Sequence, residues 1–186
     1  EVTEDEFKPE EVEELSFVNS GDVWQLGRHR LMCGDSTSEA DVKRLMGDEK
    51  MDLIITDPPY NVAYEDKQKK MDAFRTNSNG SMKIQNDSMK QDQFYMFLLK
   101  AFGNMEACMR DGAAIYVFHA DIEGLTFRKA YQDAGLKLAE VLIWEKNNFV
   151  IGKNDYHWRH EPILYGWKTG AGHYFVQDRT QDTVIL

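Results

Sequence analysis

Apolar and polar positions divide the chain into segments of different period. Residues 23–33 alternate on either side of Gly27 to His29, which predicts a short hairpin ending at Gly34-Asp35. Residues 38–46 carry helix signals, with Ser38 as N-cap, Asp41 three residues on and Gly47 as the stop. Residues 51–56 form a short apolar run between polar residues, as expected of a strand covered on both faces. From 91 to 110, Phe94, Phe97, Leu98, Ala101, Phe102, Met105 and Met109 recur at helical spacing. This predicts a long helix with a core-facing Phe and Met stripe, closed by Asp111-Gly112. Further strands are expected at 113–119, 136–145 and 161–167, with a helix over 122–134 ended by Gly135. Strand, helix, strand, helix, strand implies an α/β fold with a largely parallel sheet and covering helices.

Two stretches break this order. Residues 61–90 have few apolar positions and no sustained period, and a surface loop of that length inside a domain is usually functional or mobile. Residues 1–20 set eight acids against Lys8 alone, giving −7 of the total charge of −10, and read as an acidic linker or tail. The other 166 residues hold 21 basic and 24 acidic side chains, a near balance that neither supports nor excludes a nucleic-acid partner. With 42% apolar residues in 186, the chain can bury one sizeable core. The sequence shows no apolar run of membrane-spanning length and no basic-then-apolar leader, so no membrane partner is expected. Cys33 and Cys108 make no disulfide framework, and a reducing cytoplasm is the simplest setting. No His, Cys and carboxylate cluster has metal-site spacing, so no metal is expected.

The chemistry concentrates at DLIITDPPYN, residues 52–61. A proline pair after a strand fixes two φ angles and removes two N–H donors, which leaves carbonyls as acceptors held in place. Asp57 adds an acceptor, and Tyr60 adds a flat ring on which another ring can stack. Such a set suits a planar ligand with an exocyclic amine, which offers two donors; adenine N6 and cytosine N4 are examples. The bland alternative is a strand-ending turn.

Asp57 to Tyr60 resembles the catalytic motif of the S-adenosylmethionine-dependent DNA amino-methyltransferases, which act on adenine N6 or cytosine N4. The blocks GDVWQLGRHRLMCGDST, GAAIYVFH, LAEVLIWEK and HWRHEPILYGWK also resemble, in order, the class whose catalytic half precedes its cofactor half. The resemblance spans residues 21 to about 180. It implies a partial Rossmann-like methyltransferase sheet, mostly parallel with an antiparallel strand at one edge and helices on its faces. It also implies that Asp57 and the Pro58 carbonyl accept from the amine of a flipped base, that Pro59 completes the motif, and that Tyr60 stacks on the base. An aspartate at the first motif position favours adenine over cytosine in that family. Asp35 resembles the family acid that contacts the cofactor's adenosine; an ordinary turn acid is the alternative.

The family's glycine-rich Phe-x-Gly-x-Gly loop does not occur in the sequence. In this class it would follow the target-recognition region, beyond Leu186. With no initiating methionine and an apolar TVIL ending, residues 21–186 are expected to be the catalytic portion of a longer domain, binding S-adenosylmethionine weakly when alone. The expected partner is double-stranded DNA, and self-association through the 51–56 sheet edge is a further expectation. Lys67, Lys69, Lys70 and Arg75 could grip phosphates or simply solvate a loop. His157, Trp158, Arg159 and His160 read as a DNA-facing cluster, with Trp158 alternatively in the core, and His119 as a structural histidine. A cytosine-N4 methyltransferase and a non-catalytic DNA- or partner-binding module are the competing functions.

Overall fold

The structure is a computed structural model that describes residues 18–62, 86–150 and 155–185. The first alternating segment forms a two-stranded antiparallel hairpin, β1 (Val23–Leu26) and β2 (His29–Met32). Helix α1 (Glu39–Met46) follows, and the Ser38 hydroxyl accepts from the Asp41 amide at 3.3 Å. Gly47, at φ 62, ends it as expected. Then come β3 (Met51–Thr56), α2 (Gln91–Cys108), β4 (Met109–Phe118), a 3-10 turn (Asp121–Glu123) and α3 (Gly124–Asp133). The chain closes with β5 (Leu136–Val150), β6 (Trp158–Lys168) and a short β7 (Val184–Ile185).

The core lies between α2, α3 and one face of the sheet. Phe94, Leu98, Ala101 and Phe102 of α2 are buried, the face that the helical period marks out. Phe127, Ala130 and Tyr131 of α3 meet them, over Ile54, Ile115, Val117 and Leu164 from the strands. Alternate strand residues point to the same face, so a helix stripe and a strand's second positions form one apolar layer.

Three expectations are corrected. Helix α2 stops at Cys108, and Asp111-Gly112 lies inside β4 rather than closing a helix. Met109 continues the helical period but is buried as the first residue of β4, so periodicity could not separate the two. Gly112 has φ +79 where the pairing skips from Met51↔Met109 to Leu53↔Ala114, and a Cβ there would collide with the Gly172 carbonyl. This is a bulge with glycine at its left-handed position. Secondly, β3 is covered on one face only: Ile54 is buried, whereas Leu53 and Ile55 are 49% and 67% exposed.

The third correction concerns strand direction. The sheet order is β3-β4-β6-β5-β7, with β3–β4 and β5–β7 parallel. Strand β6 runs antiparallel to both β4 and β5, so the antiparallel strand is central rather than at an edge, and the parallel character holds only in part. Only a few residues separate Val150 from Trp158. That is too short for the crossover a parallel pair requires, so β5 and β6 must form a hairpin. The α/β class and the helix-covered sheet stand. Residues 1–17 and most of the 61–90 stretch lie outside the described residues.

Candidate active site

Parallel pairing of β3 with β4 brings Thr56 opposite Val117, so Asp57 and His119 emerge at the same end of the sheet. Strand β6 enters at that end, with Phe118 opposite Ile163 and the His119 amide donating to the Pro162 carbonyl at 3.2 Å. Open α/β sheets place their ligands beyond the carboxyl ends of parallel strands. The corner formed there is Asp57, Pro58, Pro59 and Tyr60 with His119 and Glu161.

Asp57 is exposed, and Pro58, Pro59 and Tyr60 are half-buried. The Tyr60 ring packs edge-on to Phe127, centroids 6.4 Å apart at 79°. Its hydroxyl donates to Glu161 Oε2 at 3.2 Å. Burial, with the Asp57 and Glu161 carboxylates beside it, pushes the Tyr60 pKa far above the ordinary tyrosine value. The hydroxyl therefore stays protonated and remains a donor. Glu161 Oε1 in turn pairs with Lys146 Nζ.

The motif is clamped from behind. Asn61, at φ 59, donates through Nδ2 to the Met89 carbonyl at 3.2 Å and accepts from the Met89 amide at 2.5 Å. Asn is among the few residues that tolerate this left-handed conformation. The buried Asp87 carboxylate accepts from the Val62 amide at 3.1 Å. These bonds tie the turn after Tyr60 to the segment that starts α2. They fix the direction in which Asp57 and Tyr60 leave the sheet. Asn61, Asp87, Lys146 and Glu161 were not singled out in the sequence; the left-handed preference of Asn was the one available signal.

His119 is fully buried and stacks on Phe127 with centroids 5.2 Å apart. Its Nδ1 lies 3.0 Å from the Ala120 carbonyl. A carbonyl can only accept, so Nδ1 carries the proton and Nε2 is a bare acceptor. Nε2 has no hydrogen-bond partner among the described residues. Burial, chiefly, lowers the His119 pKa, so the ring is neutral near pH 7.

Asp35 is placed differently. Its carboxylate accepts from the Thr37 amide and hydroxyl, both at 2.8 Å, and its own amide donates to Asp41. The next residue, Ser36, accepts at its carbonyl from Asn104 at 2.9 Å. Asn104 lies about 20 Å along α2 from Gln91, at 1.5 Å per residue. Asp35 is thus tethered to the far half of α2, while the Asp57 corner is tethered to its start. The structure does not bring the two together.

Beyond Trp144↔Glu161, β5 and β6 run on as a two-stranded ribbon from the same corner. His157 stacks on Phe149 with centroids 5.2 Å apart. Arg159 pairs with Glu145 at 2.7 Å and donates through Nε to the Lys146 carbonyl at 3.2 Å. Trp158 is 46% exposed and meets His160 edge-on, so it is no core residue. Lys67, Lys69, Lys70 and Arg75 lie outside the described residues.

A groove of about 1080 Å³ opens elsewhere, between the sheet's second face and the 172–183 segment. Leu53, Arg110 and Gly112 line it at the amino ends of β3 and β4, with Tyr165 and Trp167 from the far end of β6. The carboxylates of Asp52, Asp111, Glu140 and Asp182 line it as well, but none of the Asp57–Tyr60 motif does. The chemistry favours the corner.

A family model for DNA methylases of the N6/N4 methyltransferase type matches residues 51–184. The chain belongs to that family. No curated protein matches the chain. Among solved structures, it is similar to M1.HpyAVI in complex with SAM at 16% identity and a TM-score of 0.53. The match covers 81% of this chain and 60% of the other. A second M1.HpyAVI structure gives 18% identity and a TM-score of 0.51, covering 82% and 63%. A Thermus thermophilus protein described as a putative DNA modification methylase gives 13% identity and 0.50, covering 82% and 64%. At these identities the likeness is one of fold. The chain spans about three-fifths of the length of these solved proteins.

Proposed function

We propose that this DNA methylase transfers a methyl group from S-adenosylmethionine to the exocyclic N6 amine of adenine in double-stranded DNA, acting on a base flipped out of the duplex. The observation that carries this reading is the acceptor corner: the exposed Asp57 carboxylate at the end of β3, followed by the proline pair and by Tyr60 held at its hydroxyl by Glu161.

The amine of adenine is a weak nucleophile because its lone pair is delocalised into the ring. Asp57 and the Pro58 carbonyl accept its two hydrogens and favour a pyramidal nitrogen, which localises that pair outward. Tyr60 stacks on the flipped base and fixes its plane. The chain's contribution is positioning and electrostatics, with no covalent enzyme intermediate. Bound S-adenosylmethionine would supply an electrophilic methyl carbon. Asp35 spends only its Oδ1 on the Thr37 turn, which leaves Oδ2 as an acceptor that could face the cofactor's adenosine, and no step is drawn through the cofactor. The amine becomes acidic once alkylated, and Asp57 is the nearest base in the motif to take its proton.

The β5–β6 ribbon, with His157 and Arg159, is the surface proposed to meet the DNA strand beside the flipped base. The β3 edge, with Leu53 and Ile55 exposed, is the proposed self-association surface. Light scattering that shows a monomer at all concentrations would remove that second proposal.

The test of function is transfer of labelled methyl to DNA by the complete protein, followed by nucleoside analysis. N6-methyladenine is expected; N4-methylcytosine would reassign the base, because the same corner suits either amine. Asp57→Ala should reduce transfer to background while the melting temperature holds, since Asp57 is exposed. Unchanged activity in that variant would favour a non-catalytic corner.

A further inference from the structure

The corner has a second layer that the motif does not contain. Tyr60 and Glu161 are 101 residues apart in sequence, yet the Tyr60 hydroxyl reaches Glu161 Oε2 at 3.2 Å. Glu161 uses its other oxygen for Lys146 Nζ, and the two side chains are only 23% and 30% exposed. Lys146 also sits 5.2 Å over the Trp144 ring, and Trp144 is the direct cross-strand partner of Glu161. The Lys146 carbonyl receives Arg159 Nε at 3.2 Å. Each member of the line Tyr60, Glu161, Lys146, Trp144 is therefore held by the next.

A half-buried carboxylate shared between a phenol donor and an ammonium has little freedom to turn. A tyrosine held only by ring packing can rotate about its χ1 and χ2 bonds. One whose hydroxyl is fixed to such a carboxylate cannot do so without breaking a charge-assisted hydrogen bond. We propose that Glu161 and Lys146 are positioning residues for methyl transfer: they hold the Tyr60 ring at the angle needed to stack on the base beside Asp57. This rests on the amine-methylation reading above. Neither residue touches the base; both act through Tyr60.

A double-mutant cycle in the full chain tests it, with Tyr60→Phe, Glu161→Gln and the pair, read as kcat and KM for methyl transfer to duplex DNA. Tyr60→Phe keeps the ring but removes the donor, and Glu161→Gln keeps the shape but removes the charge. Each is expected to lower kcat about tenfold, as for loss of one hydrogen bond to a charged group. The double variant should fall by about the same factor rather than about a hundredfold, because both changes cut one connection. The KM for DNA should stay within about threefold, and the melting temperatures should match wild type. Glu161→Asp should recover part of the rate.

Effects that multiply in the double variant, or a loss of rate that follows the melting temperature, would overturn the positioning role and leave the amine-methylation reading standing. If Glu161→Gln fails to fold, Lys146→Met takes its place in the cycle with the same expectations. A complete wild-type protein that transfers no methyl group to DNA would overturn both readings.

Discussion

Phe127 is the residue on which core and corner both depend. It is fully buried, with ring centroids 5.6 Å from Phe94, 6.4 Å from Phe102, 6.4 Å from Tyr60 and 5.2 Å from His119. Phe127→Ala removes the hub of this cluster, and the surrounding backbone of two helices and a sheet can close the space only in part. The expected loss is about 3–5 kcal/mol, the usual cost of truncating a buried phenylalanine. Against a total stability of roughly 5–15 kcal/mol, that is about a fifth or more of what holds a domain folded. At roughly 2–4 °C per kcal/mol for a chain of this size, the melting temperature should drop by about 6–20 °C. Phe127→Leu keeps most of the volume and loses chiefly the ring pairs, each about 0.5–1.5 kcal/mol, so it should cost less than alanine. Urea titrations followed by circular dichroism measure both, with the slope against urea unchanged if only the native packing is altered. A loss below about 1 kcal/mol for Phe127→Ala would refute the placement of this ring at the centre of the core.

Two further outcomes follow from the same packing. A Cβ at Gly166 would fall far inside van der Waals contact distance of the Lys137 carbonyl oxygen and 2.6 Å from the Tyr131 hydroxyl; Gly166→Ala should thus push β5 and β6 apart and lower stability by about 3 kcal/mol, the upper end for overpacking, and an unchanged melting temperature would contradict the strand register. Burial lowers the pKa of His119 below its ordinary value of 6.5, so the unfolded chain binds the proton more readily than the folded one. Stability should be fully present above pH of about 6.5 and fall as pH is lowered toward the depressed folded-state value. His119→Gln, compared with wild type in thermal melts from about pH 8 to about pH 5, should flatten that fall, and equal slopes would show that other groups cause it.

Local features were legible because each depends on residues close in sequence. Ser38 and Gly47 bracket α1, the period of Phe94, Leu98 and Phe102 marks the buried face of α2, and strand β3 begins and ends where its apolar run does. The acceptor chemistry of DPPY is also local, since prolines fix their own φ angles whatever surrounds them. The misreadings arose where a residue satisfies two patterns at once. Met109 suits the helix stripe and the strand core equally, and only pairing with Met51 decides between them.

Sequence by itself therefore determined the element types, the family motif and the residues able to accept from an amine. Tertiary structure decided which distant side chains complete the corner. Glu161 reaches Tyr60 because β6 runs antiparallel to β4 and delivers its amino end where β3 and β4 deliver their carboxyl ends. Strand direction and order are set by the length of connections and by which faces must be buried together. They are properties of the whole chain, and no window of residues contains them.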